Sequence, residues 1–399
     1  MKQKKLWKGS WVMKDKKARV IAFYLPQYHP VEVNDKYWGK GFTEWTNVAK
    51  AKPLFPGHYQ PQIPADLGFY DLRLPEVRKA QADMAREYGI EGFCYWHYWF
   101  GNGETVLDMP IKEVLRTGEP DFPFCLGWAN HSWSNRTWSK NKFYEQNIVF
   151  LEQKYLGQKD YTDYFYSVLP LFKDKRYITV DGKPLFLIYA PQDIPDTEVF
   201  LSTWQKLAVE NGLKGIHFVA RVSAIGGLNR AVSKKKILSE TSSRYKEYLE
   251  KGYDAITSTS LTRADLCTGS HFGKLLKLFL EKIGVSAIPD IHDYGKSIKY
   301  FYTEEDCWEN VYPQIIPRWD KTPRMGRGAH LYINSTPELF EKSVEIALKH
   351  IENKKEEHRI LFAFAWNEWG EGAYLEPDIK FGRGYLEALR NAIIKRKDN

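Results

Sequence analysis

The chain has 399 residues, 43% hydrophobic and 27% charged, with 14 Trp, 25 Tyr and a formal net charge of +8. That length suits one large α/β domain or two smaller ones, and the composition is that of an ordinary globular protein. The charge is thin and of mixed sign, as at Lys234-Lys235-Lys236 and Lys354-Lys355, which speaks against a nucleic-acid or membrane-surface partner. Cys94, Cys125, Cys267 and Cys307 show no C-x-x-C spacing, so they read as small, mostly buried residues. Neither a disulfide frame nor a metal site is expected, and no cofactor motif appears. No run of about 18 apolar residues occurs, so no transmembrane segment is expected. The N-terminal stretch "MKQKKLWKGSWVMKDKK" is basic without an apolar core, and a cytoplasmic location is expected.

Residues 1–18 read as an N-terminal extension. From Arg19 onward, short apolar runs alternate with helical patterns. "RVIAFYLPQYH" opens the series, and a helix over Leu74 to Gly89 follows, with Pro at its start and Gly at its stop. A second strand spans Glu91 to Trp99, then a helix Pro110 to Gly118. The third strand is Phe122 to Trp133, with a helix near Asp160 to Phe172; the fourth is Pro184 to Pro191, with a helix near Thr197 to Asn211; the fifth is Gly215 to Arg221. The stretch 222–312 is the least legible, giving a strand at Tyr253 to Thr257 and a helix at Gly273 to Ile283. Tyr312 to Asp320 is the seventh strand, Thr336 to Lys355 an amphipathic helix, Ile360 to Glu371 the eighth strand, and Gly384 to Ile394 the closing helix.

Eight nearly continuous apolar runs alternating with helices predict a single (β/α)8 barrel over residues 19–399, of the TIM type, with elaborated βα loops. An open doubly wound sheet would want a Gly-rich turn after the first strand, and "LPQYHP" stands there instead.

Barrel chemistry gathers at the C-terminal strand ends. Those ends supply Tyr28 and His29; Trp96, His97 and Tyr98; Trp128, Asn130 and His131; Tyr189; Arg221; Trp319; and Asn367, Glu368, Trp369 and Glu371. Aromatic faces beside amides and carboxylates suit a sugar ring, which needs C–H faces to stack on and fixed partners for its hydroxyls. All of these, apart from His131 and the two glutamates, are candidate substrate-binding residues. Each also has a plain structural reading, as rim packing, as turn-forming Asn, or as a satisfied buried His. The loop Tyr37 to Val48 is a candidate for the site wall.

Glu368 and Glu371 are the candidate catalytic residues. A buried charge is costly unless paired. Two carboxylates three apart at a strand end can face one cavity, where repulsion raises one pKa and leaves a base beside an acid. The competing reading is an ion pair to Arg318 or Arg383. Glu376 lies farther out and reads as peripheral.

At these motifs the chain resembles a known family. "WNEWGEGAYLEPD", "FYLPQYH" and "FCYWHYWF" are similar to the WbsX family of polysaccharide-biosynthesis proteins, which are themselves similar to glycoside hydrolase family 99. The likeness covers about Arg19 to Leu386. It implies a (β/α)8 barrel acting on α-mannosides with retention, through an N-E-W-x-E-G motif that Asn367 to Gly372 matches. It implies Glu368 as the base that deprotonates the sugar 2-hydroxyl, a 1,2-anhydro sugar as intermediate, and Glu371 as acid and then base. Gly370 takes the variable place of the motif.

Three functions follow as alternatives. The first is a retaining glycosidase or transglycosylase of cell-surface polysaccharide metabolism. The second is a nucleotide-sugar-dependent glycosyltransferase; no D-x-D or Gly-rich phosphate loop supports it, but Arg221, Arg318 and Arg324 leave a metal-free diphosphate site open. The third is a non-catalytic glycan-binding protein. The expected partners are an oligosaccharide or lipid-linked glycan and, through it, polysaccharide-assembly enzymes.

Overall fold

The computed structural model describes residues 16–135, 148–225, 234–269 and 289–394. Eight parallel strands close on themselves: β1 Arg19–Tyr24, β2 Gly92–Trp99, β3 Phe124–Trp128, β4 Lys183–Ile188, β5 His217–Ser223, β6 Ala255–Thr259, β7 Val311–Ile315 and β8 Ile360–Ala363. Each pairs with the next, and β8 returns to β1 in the register Arg19↔Ile360 to Ala22↔Ala363. The chain is a (β/α)8 barrel, as the alternation of apolar runs and helices predicts.

The strands are buried almost throughout because the interior and the outer helices cover both faces. Around them run α1 Pro75–Glu87, α2 Met109–Thr117, α3 Gln158–Phe172, α4 Thr197–Glu210, α5 Thr241–Glu250, α6 Leu261–Thr268, α7 Pro337–Ile351 and α8 Gly384–Ile393. Local chemistry sets their ends. Gly118 closes α2 at φ 74°, a left-handed conformation that favours glycine. Thr336 caps α7 by accepting from the Leu339 amide, with Pro337 at the first helical position. The helix expected at Gly273 to Ile283 lies outside the described residues. Helix α5 lies in the stretch where the sequence pattern placed none. No helix among the described residues is long and apolar enough to cross a membrane.

Strand parity decides which side chains enter the barrel. On β2, Trp96 and Tyr98 point inward. His97 and Trp99 point out to α3, where Nδ1 of His97 lies 2.9 Å from the Tyr164 hydroxyl and the Trp99 indole donates to Asp160. Gly127 of β3 stands beside Trp96, and a Cβ there would lie 2.9 Å from the indole, so only glycine lets that ring lie across the barrel. Phe23 stacks on Trp96 and on Phe362 with centroids 4.8 and 5.1 Å apart, forming an aromatic floor. Cys94 and Cys125 are free, buried and paired in register below it. The opposite barrel end is closed by polar groups, with Arg19 on Glu91 at 2.7 Å.

Candidate active site

After β8 the chain makes a tight hairpin. Asn367–Glu368 pairs with Ala373–Tyr374, the turn Trp369–Glu371 is a 3-10 helix, and Gly372 is left-handed at φ 59°. Asn367 fastens this hairpin to the end of β1: its Oδ1 accepts from the Leu25 amide and its Nδ2 donates to the Leu25 carbonyl, at 2.8 and 3.0 Å. The Tyr28 hydroxyl donates to the Asn367 carbonyl and accepts from the Trp369 amide. Trp369 is fully buried and stacks on Tyr374 at 3.6 Å. These five contacts hold Glu368 and Glu371 facing one cavity.

The cavity holds about 400 Å³. Its polar wall includes Glu368, Glu371, Lys321, Arg324, Gln27, His131 and His330. Its apolar wall includes Trp38, Trp96, Tyr98, Trp133, Tyr189 and Phe364. Trp38 ends the helix Glu32–Trp38, and the stretch Tyr37 to Val48 expected as a loop runs into a second helix, Glu44–Ala49.

One guanidinium organises the carboxylates. Arg324 donates to Glu368 Oε2 at 3.0 Å, to Glu371 Oε1 at 2.7 Å, and to both oxygens of Glu44 at 2.9 and 3.0 Å. Lys321 adds a second cation 3.1 Å from Glu371. The environments of the two glutamates therefore differ. Burial pushes the Glu368 carboxyl up to about 7; Arg324 opposes this, and the charges of Glu371 and Glu44 reinforce it. Burial also acts on Glu371, but Lys321 and Arg324 outweigh it and hold that carboxyl below the usual range. Near pH 7 the pair thus carries one firmly ionised carboxylate, Glu371, and one poised group, Glu368.

Of the residues singled out from the sequence, Trp96, Tyr98, Tyr189, Glu368 and Glu371 line the cavity. Arg221 stands behind Tyr189, its guanidinium 4.4 Å from the ring centroid. Tyr28, Asn367 and Trp369 lie directly beneath the glutamates as their supports. His97 and Trp128 face the outer helices, and the Trp128 indole donates to the Trp99 carbonyl. Asn130 is spent on backbone and tyrosine: it donates to Ala190 O and the Tyr155 hydroxyl, and accepts from the Ala190 amide. His29 is buried outside the cavity wall. Trp319 lines a neighbouring cavity of about 460 Å³ with Arg318, Asp320 and Tyr385.

The ion-pair reading is present too, but with a different arginine. Arg318 pairs with Asp378 and Arg383 with Asp66, while Arg324 takes the glutamates. Glu376 is buried, not exposed. It accepts from Trp369, Gln81 and Tyr70 at 2.6, 2.7 and 2.9 Å, and burial still lifts it to about 7 against those hydrogen bonds. It braces the Trp369 indole outside the cavity. Glu44 and Lys321 are the members that sequence reasoning missed. Their only signal is position, Glu44 in the aromatic stretch Tyr37 to Val48 and Lys321 just past the β7 end. His131 is half-buried and neutral, held at about 4 by burial and by Arg221.

Residues 20–389 match the sequence profile of the family described as "Glycosyltransferase WbsX". Over 390 residues the chain is 32% identical to the uncharacterized protein WxcX of Xanthomonas campestris pv. campestris strain B100, and 33% identical to WxcX of strain ATCC 33913. These alignments cover 96% of this chain and 50% of each relative, so the chain spans about half the length of the curated relatives it matches. Among solved structures, a "Glycoside hydrolase-like protein" superposes with a TM-score of 0.59 at 12% identity, covering 95% of this chain and 94% of that one. The GH99 endo-alpha-mannosidase from Bacteroides thetaiotaomicron superposes with a TM-score of 0.52 at 14% identity, covering 94% and 96%. At such identities these two are likenesses of fold. The profile match runs from the first barrel strand into the last helix and includes both Glu368 and Glu371: the chain belongs to the WbsX glycosyltransferase family.

Proposed function

We infer that this chain is a carbohydrate-active enzyme that cleaves or transfers an α-linked, manno-configured glycan with retention, in cell-surface polysaccharide metabolism. The observation that carries the reading is that Glu368 and Glu371, three residues apart on one tight hairpin, face a single aromatic-walled cavity. Glu368 takes the proton of the sugar 2-hydroxyl. The route needs the proton of the pair on Glu371 once the sugar is bound, the reverse of the resting distribution in which Lys321 and Arg324 keep Glu371 ionised. The freed oxygen then attacks the anomeric carbon as the glycosidic oxygen leaves with that proton. Water or a sugar hydroxyl then opens the 1,2-anhydro ring, gives its proton to Glu371, and the 2-oxygen regains its own from Glu368. A base with a pKa near the working pH is the most effective one, and burial puts Glu368 there. Carboxylates three residues apart need not straddle the anomeric carbon, and this route does not require it. Trp96, Tyr98 and Tyr189 offer faces and edges to the sugar ring.

A second reading rests on Lys321 and Arg324, which keep Glu371 ionised. A diphosphate leaves without protonation, so a nucleotide-sugar donor would not need Glu371 as an acid. The substrate class in both readings is an oligosaccharide or lipid-linked glycan handled alongside polysaccharide-assembly enzymes. Proton NMR of the purified chain with an α-mannoside and an α-mannosyl fluoride tests the first reading. An α-configured first product supports it, and inversion or no turnover removes it. Calorimetry against a panel of nucleotide sugars tests the second.

A further inference from the structure

A second set of ligand-type side chains gathers beside the cavity. Asp265 comes from α6, His292 from the strand Asp290–Asp293, and His330 from the strand His330–Ile333 paired with it. One ligand atom from each lies within 4.8 Å of the others. The sequence spreads them from position 265 to 330, so no spacing motif marks them.

The hydrogen bonds fix the state of His292. The Thr268 hydroxyl gives its proton to the Ala264 carbonyl at 2.8 Å, one helical turn back. It must therefore accept from His292 Nδ1, 3.1 Å away, which makes Nδ1 the protonated nitrogen and leaves a lone pair on Nε2. That Nε2 is buried, with a side chain only 3% exposed, and has no hydrogen-bond partner among the described residues. It faces Asp290 Oδ1 at 3.4 Å and Asp265 Oδ1 at 3.7 Å. A lone pair opposed to two carboxylates is repulsive. An imidazolium would close to about 2.7–2.9 Å on a carboxylate, shorter than either separation. A small cation between the groups removes the repulsion at the spacing observed.

Zinc binds His nitrogen and carboxylate oxygen at about 2.0–2.2 Å, which sets neighbouring donors of a tetrahedron roughly 3.3–3.6 Å apart. Asp265 Oδ1 stands 2.9 Å from His330 Nε2, a hydrogen bond that a bound ion would replace, and 3.7 Å from His292 Nε2. These separations bracket that edge. The outer groups that orient metal ligands are also in place, with Thr268 on His292 and the Tyr332 hydroxyl donating to Asp265 at 2.6 Å.

We propose that His292, His330 and Asp265 form a three-residue binding site for a divalent transition-metal ion, zinc matching the donor set and spacing best, with water completing the coordination. His330 also lines the cavity of the glutamate pair, and Lys321 and Arg324 precede it on the same segment. The ion ties α6 and the two-stranded sheet to the wall that holds Arg324.

The test uses the full chain, stripped with chelator and titrated with Zn²⁺ against a chromogenic competitor, then loaded with Co²⁺. One zinc per chain and the intense visible bands of four-coordinate cobalt are expected. Outer-group losses cost about 10–100-fold in affinity, so Thr268→Val should fall in that range, and His292→Gln and His330→Gln should exceed about 100-fold. Near-UV circular dichroism checks that the variants fold. If a variant does not, the wild-type stoichiometry and the cobalt spectrum decide. Absence of saturable zinc binding, a six-coordinate cobalt spectrum, or unchanged affinity in a folded His292→Gln protein overturns the site.

Discussion

Gly370 and Glu44 are in closest approach where the glutamate hairpin meets the helix Glu44–Ala49: a Cβ at position 370 would stand 1.8 Å from Glu44 Oε1 and 2.8 Å from Arg324 Nε. The glycine is there for space, since its φ needs no left-handed freedom. It lets Glu44 hold one side of the Arg324 guanidinium while Glu368 and Glu371 hold the other. Gly370→Ala should displace the Glu44 carboxylate and release Arg324. Overpacking of this kind costs about 1–3 kcal/mol, readable by urea unfolding. A misplacement near 1 Å at the reacting groups should lower kcat by about 100-fold. Wild-type stability and rate in Gly370→Ala would show that the contact is not a constraint.

The pH profile follows from Glu368. As a base it must be ionised, and its carboxyl lies at about 7. With an α-mannosyl fluoride, whose leaving group needs no proton from Glu371, kcat/KM should climb tenfold per pH unit on the acid side and level off above about 7. The sign for stability is the reverse. The folded state holds this proton more tightly than the unfolded chain, so Glu368 contributes stability at low pH that is lost as pH rises through about 7. In Glu368→Gln the loss of unfolding free energy between about pH 5 and about pH 8 should be smaller than in the wild type. An equal loss in both would place the proton elsewhere.

Arg324 lowers the Glu368 carboxyl while burial raises it. Arg324→Lys keeps the charge but loses the fork that reaches three carboxylates at once. Its acid limb should move above the wild-type position, and kcat should fall. Arg324→Met, which strands the carboxylates, should cost about 3–5 kcal/mol of stability. An unmoved acid limb in Arg324→Lys would mean the guanidinium does not set the protonation of Glu368.

Glu368→Gln and Glu371→Gln should each lose turnover of a glycan substrate by about 100- to 10,000-fold while keeping the wild-type circular dichroism. With an α-mannosyl fluoride, whose leaving group needs no proton, Glu371→Gln should recover its first step and Glu368→Gln should not. Full activity in either variant would remove the proposed mechanism.

The barrel was legible because its eight strands are buried on both faces and read as continuous apolar runs between capped helices. Helix α5 was not. Its buried face is Thr241, Tyr245 and Tyr248, and tyrosine does not register as an apolar stripe. At the site, the glutamate pair stood out by crowding alone. His97 was drawn onto the rim by its place at a strand end, although the period of two that puts Trp96 and Tyr98 inside turns it outward. Asn130 and Asn367 look alike in sequence, yet one pins Ala190 and the other joins β1 to the glutamate hairpin. Glu44 and Arg324 meet across 280 residues, and only barrel closure brings them together.

The central claim is that Glu368 and Glu371 address the same sugar. A crystal structure of the wild type soaked with a manno-configured imino-sugar measures it directly. A ring is expected in the cavity near Trp96, with its 2-hydroxyl at about 2.6–3.2 Å from Glu368 and Glu371 turned to the anomeric side. A sugar bound in the neighbouring cavity beside Trp319, or one that leaves the Arg324 contacts to both glutamates untouched and meets neither, would contradict it.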